Sequence, residues 1–261
     1  MSTGRPGPFG TVKKIVREAY GRRFASDCML PKHDVEVPPN TADVTDCARV
    51  IGEPPRRAHD AWLELQDDSQ FRDSINERFW RTDHGPNTGY PNWRDLLYVL
   101  TRLHEPDRVV ETGVRGGLSS AYVLNALERN DHGELVSIDI GDTTLIPPDV
   151  DPREIGWLVP EYLRNRWTLE LGDATTLLPD VLSEDVGLFL SDVPNHLLAA
   201  ELDAAADAMP SGGVVVTCTP ADSQAVDVWE SFREDALAAD ATGTRWERAD
   251  SHSTVNIGVL E

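Results

Sequence analysis

Lysine is nearly absent from this chain: Lys13, Lys14 and Lys32 stand against 21 Arg in 261 residues. Cysteine is equally scarce, and Cys28, Cys47 and Cys218 share no metal-binding or redox spacing. Three such thiols exclude a disulfide framework and fit a reducing, cytoplasmic setting. No stretch approaches the ~18 uncharged apolar residues of a membrane helix, so no membrane role is expected. Residues 1–10 hold no apolar core, which argues against a secretory signal. Internal repeats and low-complexity tracts are missing too.

Acidic residues are plentiful. Asp and Glu total 45 against 24 Lys and Arg, for a net charge of −21. A surface this acidic repels phosphate backbones, so nucleic acid is not an expected partner. The balance resembles that of proteins from salt-loving archaea. At molar salt the Debye length falls to ~3 Å, and crowded carboxylates repel one another little. A halophilic protein is therefore expected, the alternative being an ordinary acidic one. Hydrophobic residues make up 40%, enough for a buried core.

The punctuation divides the chain into a helical N-terminal extension or cap, residues 1–105, and an alternating α/β part, residues 106–261. In the first, apolar spacing predicts helices at 11–24, 41–50, from Pro54 and Pro55 through Leu65, and at 92–103. Residues 82–91 hold two Gly and two Pro and read as a loop containing His84. In the second, strands are expected at 108–112, 134–140, 167–171, 186–191, 213–218, 245–248 and 254–260. Helices are expected at 118–129, 151–165, 174–183, 195–208 and 223–239. Such alternation implies a doubly wound, mostly parallel, seven-stranded Rossmann-like sheet. Only 249–253 separate the last two strands, too few for a parallel crossover, so they should form an antiparallel hairpin.

The stretch 109–139, VVETGVRGGLSSAYVLNALERNDHGELVSID, carries the chemistry. A buried strand ends at Glu111, and a turn with Gly113, Gly116 and Gly117 follows. A helix then opens near Ser119 and Ser120, either of which can cap it. Asp139 closes the next strand 22 residues after Gly117, a spacing suited to a carboxylate on ribose hydroxyls. A nicotinamide site would require G-x-G-x-x-G, but Arg115 and Leu118 occupy the second and third glycine positions. Glu111 would also repel a pyrophosphate, by ~4 kcal/mol per charge pair at ~4 Å and an effective dielectric of 20. The same carboxylate would attract a ligand bearing an ammonium and a sulfonium.

In these motifs the chain resembles the class I S-adenosylmethionine-dependent methyltransferases. It is most similar to the branch grouped with macrocin-type O-methyltransferases and proteins labelled cephalosporin hydroxylase. The likeness rests on E-T-G-x-x-x-G at 111–117, the L-S-S that follows, S-I-D at 137–139, GWLVPEYLRNRW at 156–167, LGDATTLLPD at 171–180 and PSGGVVV at 210–216. It covers about residues 90–220. It implies S-adenosyl-L-methionine as cofactor, with Glu111, Gly113, Arg115, Gly117 and Ser119 at its methionine end. Asp139 would bind its ribose, and Asp173 would face its adenine. Read from the residues alone, the glycines remain simple turn formers, Asp139 a surface carboxylate and Asp173 a helix cap.

Two departures bear on mechanism. Metal-dependent relatives carry an acid after the fourth strand and an Asp-Asp pair after the fifth. The first is kept as Asp192, but Cys218 and Thr219 stand where the pair would be. A hard divalent cation needs several oxygen ligands, so no metal is expected. His196, near Asp192, is a candidate general base, the alternative being an ordinary helix-start residue. His104, at a helix end, would favour the helix dipole. The expected activity is O-methylation of a small molecule or sugar hydroxyl. The alternatives are a non-catalytic cofactor-binding protein and a nicotinamide oxidoreductase. A homo-oligomer is left open.

Overall fold

In the computed structural model the described residues are 41–80, 93–146, 150, 153–220, 223–238, 246–247 and 253–261. The helix expected at 11–24 and the loop at 82–91, with His84, lie outside them.

Four helices come first: α1 (Thr41–Val50), α2 (Pro55–Asp67), α3 (Ser69–Trp80) and α4 (Arg94–His104). Helix α2 opens on Pro55, whose missing N–H leaves no intrahelical bond unmade at that position. Helix α4 ends at Glu105, in the left-handed region at φ 47°, because Pro106 cannot continue it. There follow β1 (Arg108–Thr112), α5 (Leu118–Asn130), β2 (Glu134–Asp139), β3 (Trp167–Leu171), α6 (Ala174–Val181), β4 (Val186–Ser191), α7 (Asn195–Ala208), β5 (Val214–Pro220), α8 (Ser223–Ala236), β6 (Trp246–Glu247) and β7 (Ser253–Val259).

The sheet runs in the order β3-β2-β1-β4-β5-β7-β6. The first five strands are parallel. Strand β7 pairs antiparallel with β5, and the two-residue β6 pairs antiparallel with β7, as the short final connection requires. Strand order reverses between β1 and β4, and in such sheets that reversal opens a ligand crevice beyond the strand tips.

Alternation along the strands distributes side chains to two layers. Val109, Leu188, Leu190, Val214 and Val216 join the layer that includes α1 to α5. Val110, Phe189 and Val215 join the layer formed with α6, α7 and α8. Two polar clusters tie the leading helices together and to α5. Asp68, buried, accepts from the Phe71 amide, Asn125 and Arg129. Glu64 accepts from Tyr98 and from Arg102. Burial alone would raise the pKa of both carboxylates, but these donors outweigh it and hold them below the ordinary range.

The helix expected at 151–165 does not form. Residues 155–158 are turns, and Glu161–Arg166 is a 3-10 helix. Gly156 sits at φ +74°, and the segment's amides are used elsewhere: Gly156 N donates to Arg115 O and Leu158 N to Gly116 O. Docking against the glycine turn has replaced the helical ladder.

Candidate functional site

The turn after β1 is built by close backbone approach. Gly113 lies at φ +84°, and a Cβ there would fall 2.2 Å from the Asp192 carbonyl oxygen. Gly117, at φ +77°, would meet Gly156 Cα and a Val159 methyl at 2.8 Å. Arg115 is itself left-handed, at φ 47°. Only glycine fits the first two positions without strain.

Asp139 fixes this turn from the tip of β2. Its Oδ2 accepts from Val114 N (2.9 Å) and Arg115 N (2.8 Å), and its Oδ1 accepts from Gly141 N (2.8 Å). It is buried, not the surface carboxylate of the simpler reading. Three of the roughly four positions on a carboxylate are thereby used, and one on Oδ1 remains for a ligand hydroxyl.

Glu111 corrects an expectation. It is not an open charge at the strand tip but fully buried, and it accepts hydroxyl bonds from Ser119 (2.5 Å), Ser120 (2.5 Å) and Ser137 (2.8 Å). Trp167 Nε1 donates to Ser137 in turn. Burial raises the pKa of Glu111, the three hydroxyls offset part of that, and Asp192 pushes it further up. The two serines consequently do not cap α5, whose N-cap is Gly117 with no side-chain bond. Their hydroxyls turn inward, because a buried carboxyl group without donors would be costlier than an uncapped helix start.

Asp173, at the start of α6, is exposed and accepts from Thr175 N (2.9 Å) and Thr175 Oγ1 (2.6 Å). It caps that helix, and both bonds lower its pKa. Asp192, half-buried, follows β4 and donates its amide to Thr112 O. His196 lies exposed in the first turn of α7. Cys218 is buried on β5, and the Thr219 side chain lies outside the description. Among the described residues no three His, Cys, Asp or Glu side chains are grouped to hold a metal ion. His104 proves half-buried beside Gly187, and burial lowers its pKa, the reverse of what a helix terminus alone would do.

Glu111, Asp139 and Asp192 thus converge on one turn, with Asp173 at the neighbouring strand tip. Three features went unread. Ile140, directly after β2, and Leu171, the last residue of β3, are 72% and 62% exposed and offer apolar surface at the strand ends. An apolar residue directly after Asp139 was the available signal. A cavity of about 460 Å³ lies against edge strand β3, lined by Gly141, Arg153, Arg164 and Trp167 among others, beside the connection that lacks its helix. Glu201, fully buried on α7, bonds to Thr112 and Ser191, and its sign was an acid within an apolar stripe.

The fold is that of the class I S-adenosylmethionine-dependent methyltransferases, and residues 110–217 match a family model described as a methyltransferase domain. Among solved structures, the O-methyltransferase TomG from Streptomyces achromogenes, involved in tomaymycin synthesis and complexed with S-adenosylmethionine, aligns at 16% identity and TM-score 0.51, covering 74% of this chain and 91% of that one. The O-methyltransferase from Bacillus cereus, in complex with S-adenosylhomocysteine, aligns at 15% identity and TM-score 0.52, covering 75% and 92%. At such identities the likeness is one of fold. A search of curated proteins returns no match.

Proposed function

We propose that this chain is an S-adenosylmethionine-dependent methyltransferase acting on a hydroxyl oxygen of a small molecule or sugar, in the manner of the macrocin-type branch, without a metal. The observation that carries it is the pinned glycine turn at the strand-order reversal. Its amides are held by Asp139, its glycines leave no space for a Cβ, and its rim carries Asp139, Asp173 and Asp192. A diphosphate would meet that acidic rim unfavourably, whereas a cationic ligand suits it.

When bound, the cofactor supplies an electrophilic methyl group on sulfur. The chain's own work is to bind, orient and exclude water. The backbone of 113–117 would take the methionine end, the free position on Asp139 Oδ1 a ribose hydroxyl, and Ile140 with Leu171 the faces of the purine. His196 and Asp192 would receive the acceptor's proton. The helical extension, residues 1–105, and the segments after β4 and β5 would choose the acceptor. Cys218 and Thr219, standing where relatives carry an acid pair, support a second reading, a binding protein without turnover.

Calorimetric titration with S-adenosylhomocysteine and with NAD tests the cofactor. S-adenosylhomocysteine should bind and NAD should not, and Asp139→Ala should lose affinity by at least about 30-fold, since a pinned turn and a polar partner go together. NAD binding without a response to S-adenosylhomocysteine would refute the reading. Release of S-adenosylhomocysteine from S-adenosylmethionine with a cell extract as acceptor pool separates enzyme from binder.

A further inference from the structure

Glu201 occupies the middle of an otherwise apolar stripe on α7, among Leu198, Leu202 and Ala205, and is wholly buried. Its Oε2 accepts from Thr112 Oγ1 at 2.6 Å and from Ser191 Oγ at 2.8 Å. Those residues end β1 and β4 and stand opposite each other in the parallel ladder. Beyond them the chain enters Gly113 on one side and Asp192 on the other, the pair whose backbones meet too closely for a Cβ. Glu201 Oε1 has no hydrogen-bond partner among the described residues. A buried polar atom left unpaired calls for an explanation.

We propose that Glu201 is a positioning residue for the cofactor crevice, clamping the tips of β1 and β4 where the strand order reverses. The proposal rests on the cofactor reading above. Burial raises the pKa of this carboxyl group, its two hydroxyl donors offset part of that, and Asp173 adds to the rise. The clamp itself needs one acceptor oxygen, Oε2, which receives both hydroxyls, and makes no use of a bond at Oε1. A glutamine side chain keeps that acceptor, its oxygen in place of Oε2 and its NH2 in place of Oε1. An alanine leaves both hydroxyls without their acceptor.

The test is a calorimetric titration with S-adenosylhomocysteine of the wild type, Glu201→Gln, Glu201→Ala and Leu202→Ala, each also melted without ligand. Leu202 is a buried neighbour on the same helix that offers no polar bond to either tip. Glu201→Gln should bind within about threefold of wild type, and Glu201→Ala about tenfold or more weakly, the weight of two buried hydrogen bonds. Leu202→Ala should lower the melting midpoint while leaving affinity within about threefold, since it truncates the core without removing a polar bond to either strand tip. Should Glu201→Ala not fold, Ser191→Ala and Thr112→Val each remove one bond and should each weaken binding by roughly threefold. Wild-type affinity in Glu201→Ala, or in both single-bond variants, overturns the clamp alone. So does a loss in Leu202→Ala as large as that in Glu201→Ala. A wild-type protein that ignores S-adenosylhomocysteine overturns the cofactor reading and the clamp together.

Discussion

The two faces of the β1 tip each bear one buried carboxyl group, and they are partnered differently. On the α5 face Glu111 takes three hydroxyl bonds across both oxygens. On the α7 face Glu201 takes two on one oxygen, and the other has no partner among the described residues. The pKa of each is raised by burial before anything else. Neither is an open counter-charge. On the proposed reading Asp139, Asp173 and Asp192 stand at the rim of the crevice, while the buried two hold the strand tips in place. Opposite faces of one strand thus divide the labour between an anchor bonded through both oxygens and one bonded through a single oxygen.

The sharpest way to break this contrast is to remove the anchor bonded through both oxygens. Glu111→Ala leaves three buried hydroxyls without an acceptor and opens a hole, and it should cost about 3–5 kcal/mol in urea unfolding. Glu111→Gln keeps the shape and most of the bonds, and should cost about 1–2 kcal/mol. Equal losses from the two would show that the hydroxyl network contributes little.

Next in size is the turn that both anchors steady. Gly113→Ala forces a Cβ onto the Asp192 carbonyl at φ +84°, whereas Gly212→Ala, at φ +86°, meets nothing within 4 Å. The second change carries backbone strain alone, about 1 kcal/mol, and the first should exceed it by about 2 kcal/mol because backbone must move. The excess should appear both in thermal unfolding and in S-adenosylhomocysteine affinity. Matching midpoints for the two variants would mean that the close approach is not tight in solution.

Much of this site could be read from the residues, and the rest failed for identifiable reasons. The parallel order, the glycine turn and the place of Asp139 follow from apolar runs and glycine spacing, which record local sterics. The partners of Glu111 were misjudged. Ser119 and Ser120 have the residue type of a helix cap, and only tertiary packing reveals that a buried carboxyl group claims their hydroxyls. The segment 151–165 has helical composition, yet its amides serve the glycine turn, a contact made across more than 35 positions from Gly116 to Leu158. Glu201 was overlooked because one acid in an apolar stripe acquires meaning only when Thr112 and Ser191 are brought opposite it.

Smaller than either substitution is the pH response, which pits the two raised carboxyl groups against lowered ones, Glu64 and Asp68 among them. An acid raised on folding is ionised first in the unfolded chain. Above about pH 4.3 that chain binds fewer protons, so stability falls as pH climbs toward the folded value. Glu111 and Glu201 contribute this falling limb. Glu64 and Asp68 are lowered despite their burial, so what they contribute is present above about pH 4 and lost on acidification. Urea midpoints between about pH 3 and 8 should therefore show both limbs. Glu111→Gln should flatten the upper one and Asp68→Asn the lower. An unchanged upper limb in Glu111→Gln would leave Glu201 as its source.

The smallest effect expected per group, though spread over the whole surface, is that of salt, and its sign discriminates between two populations of charge. Exposed pairs such as Arg56–Asp60, with side chains 90% and 68% accessible, contribute about 0–1 kcal/mol each, and salt weakens them. The net charge of −21 acts the other way, because the excess carboxylates repel one another in the compact state and salt relieves it. If repulsion outweighs the pairs, the melting midpoint should rise steadily from dilute buffer to molar KCl, and most of the rise should come within the first few hundred millimolar, where the Debye length shrinks fastest. Repeating the series with a neutral osmolyte separates screening from general exclusion of solutes. A midpoint that falls with KCl would show that the arginine pairs, for all their exposure, outweigh the acidic excess.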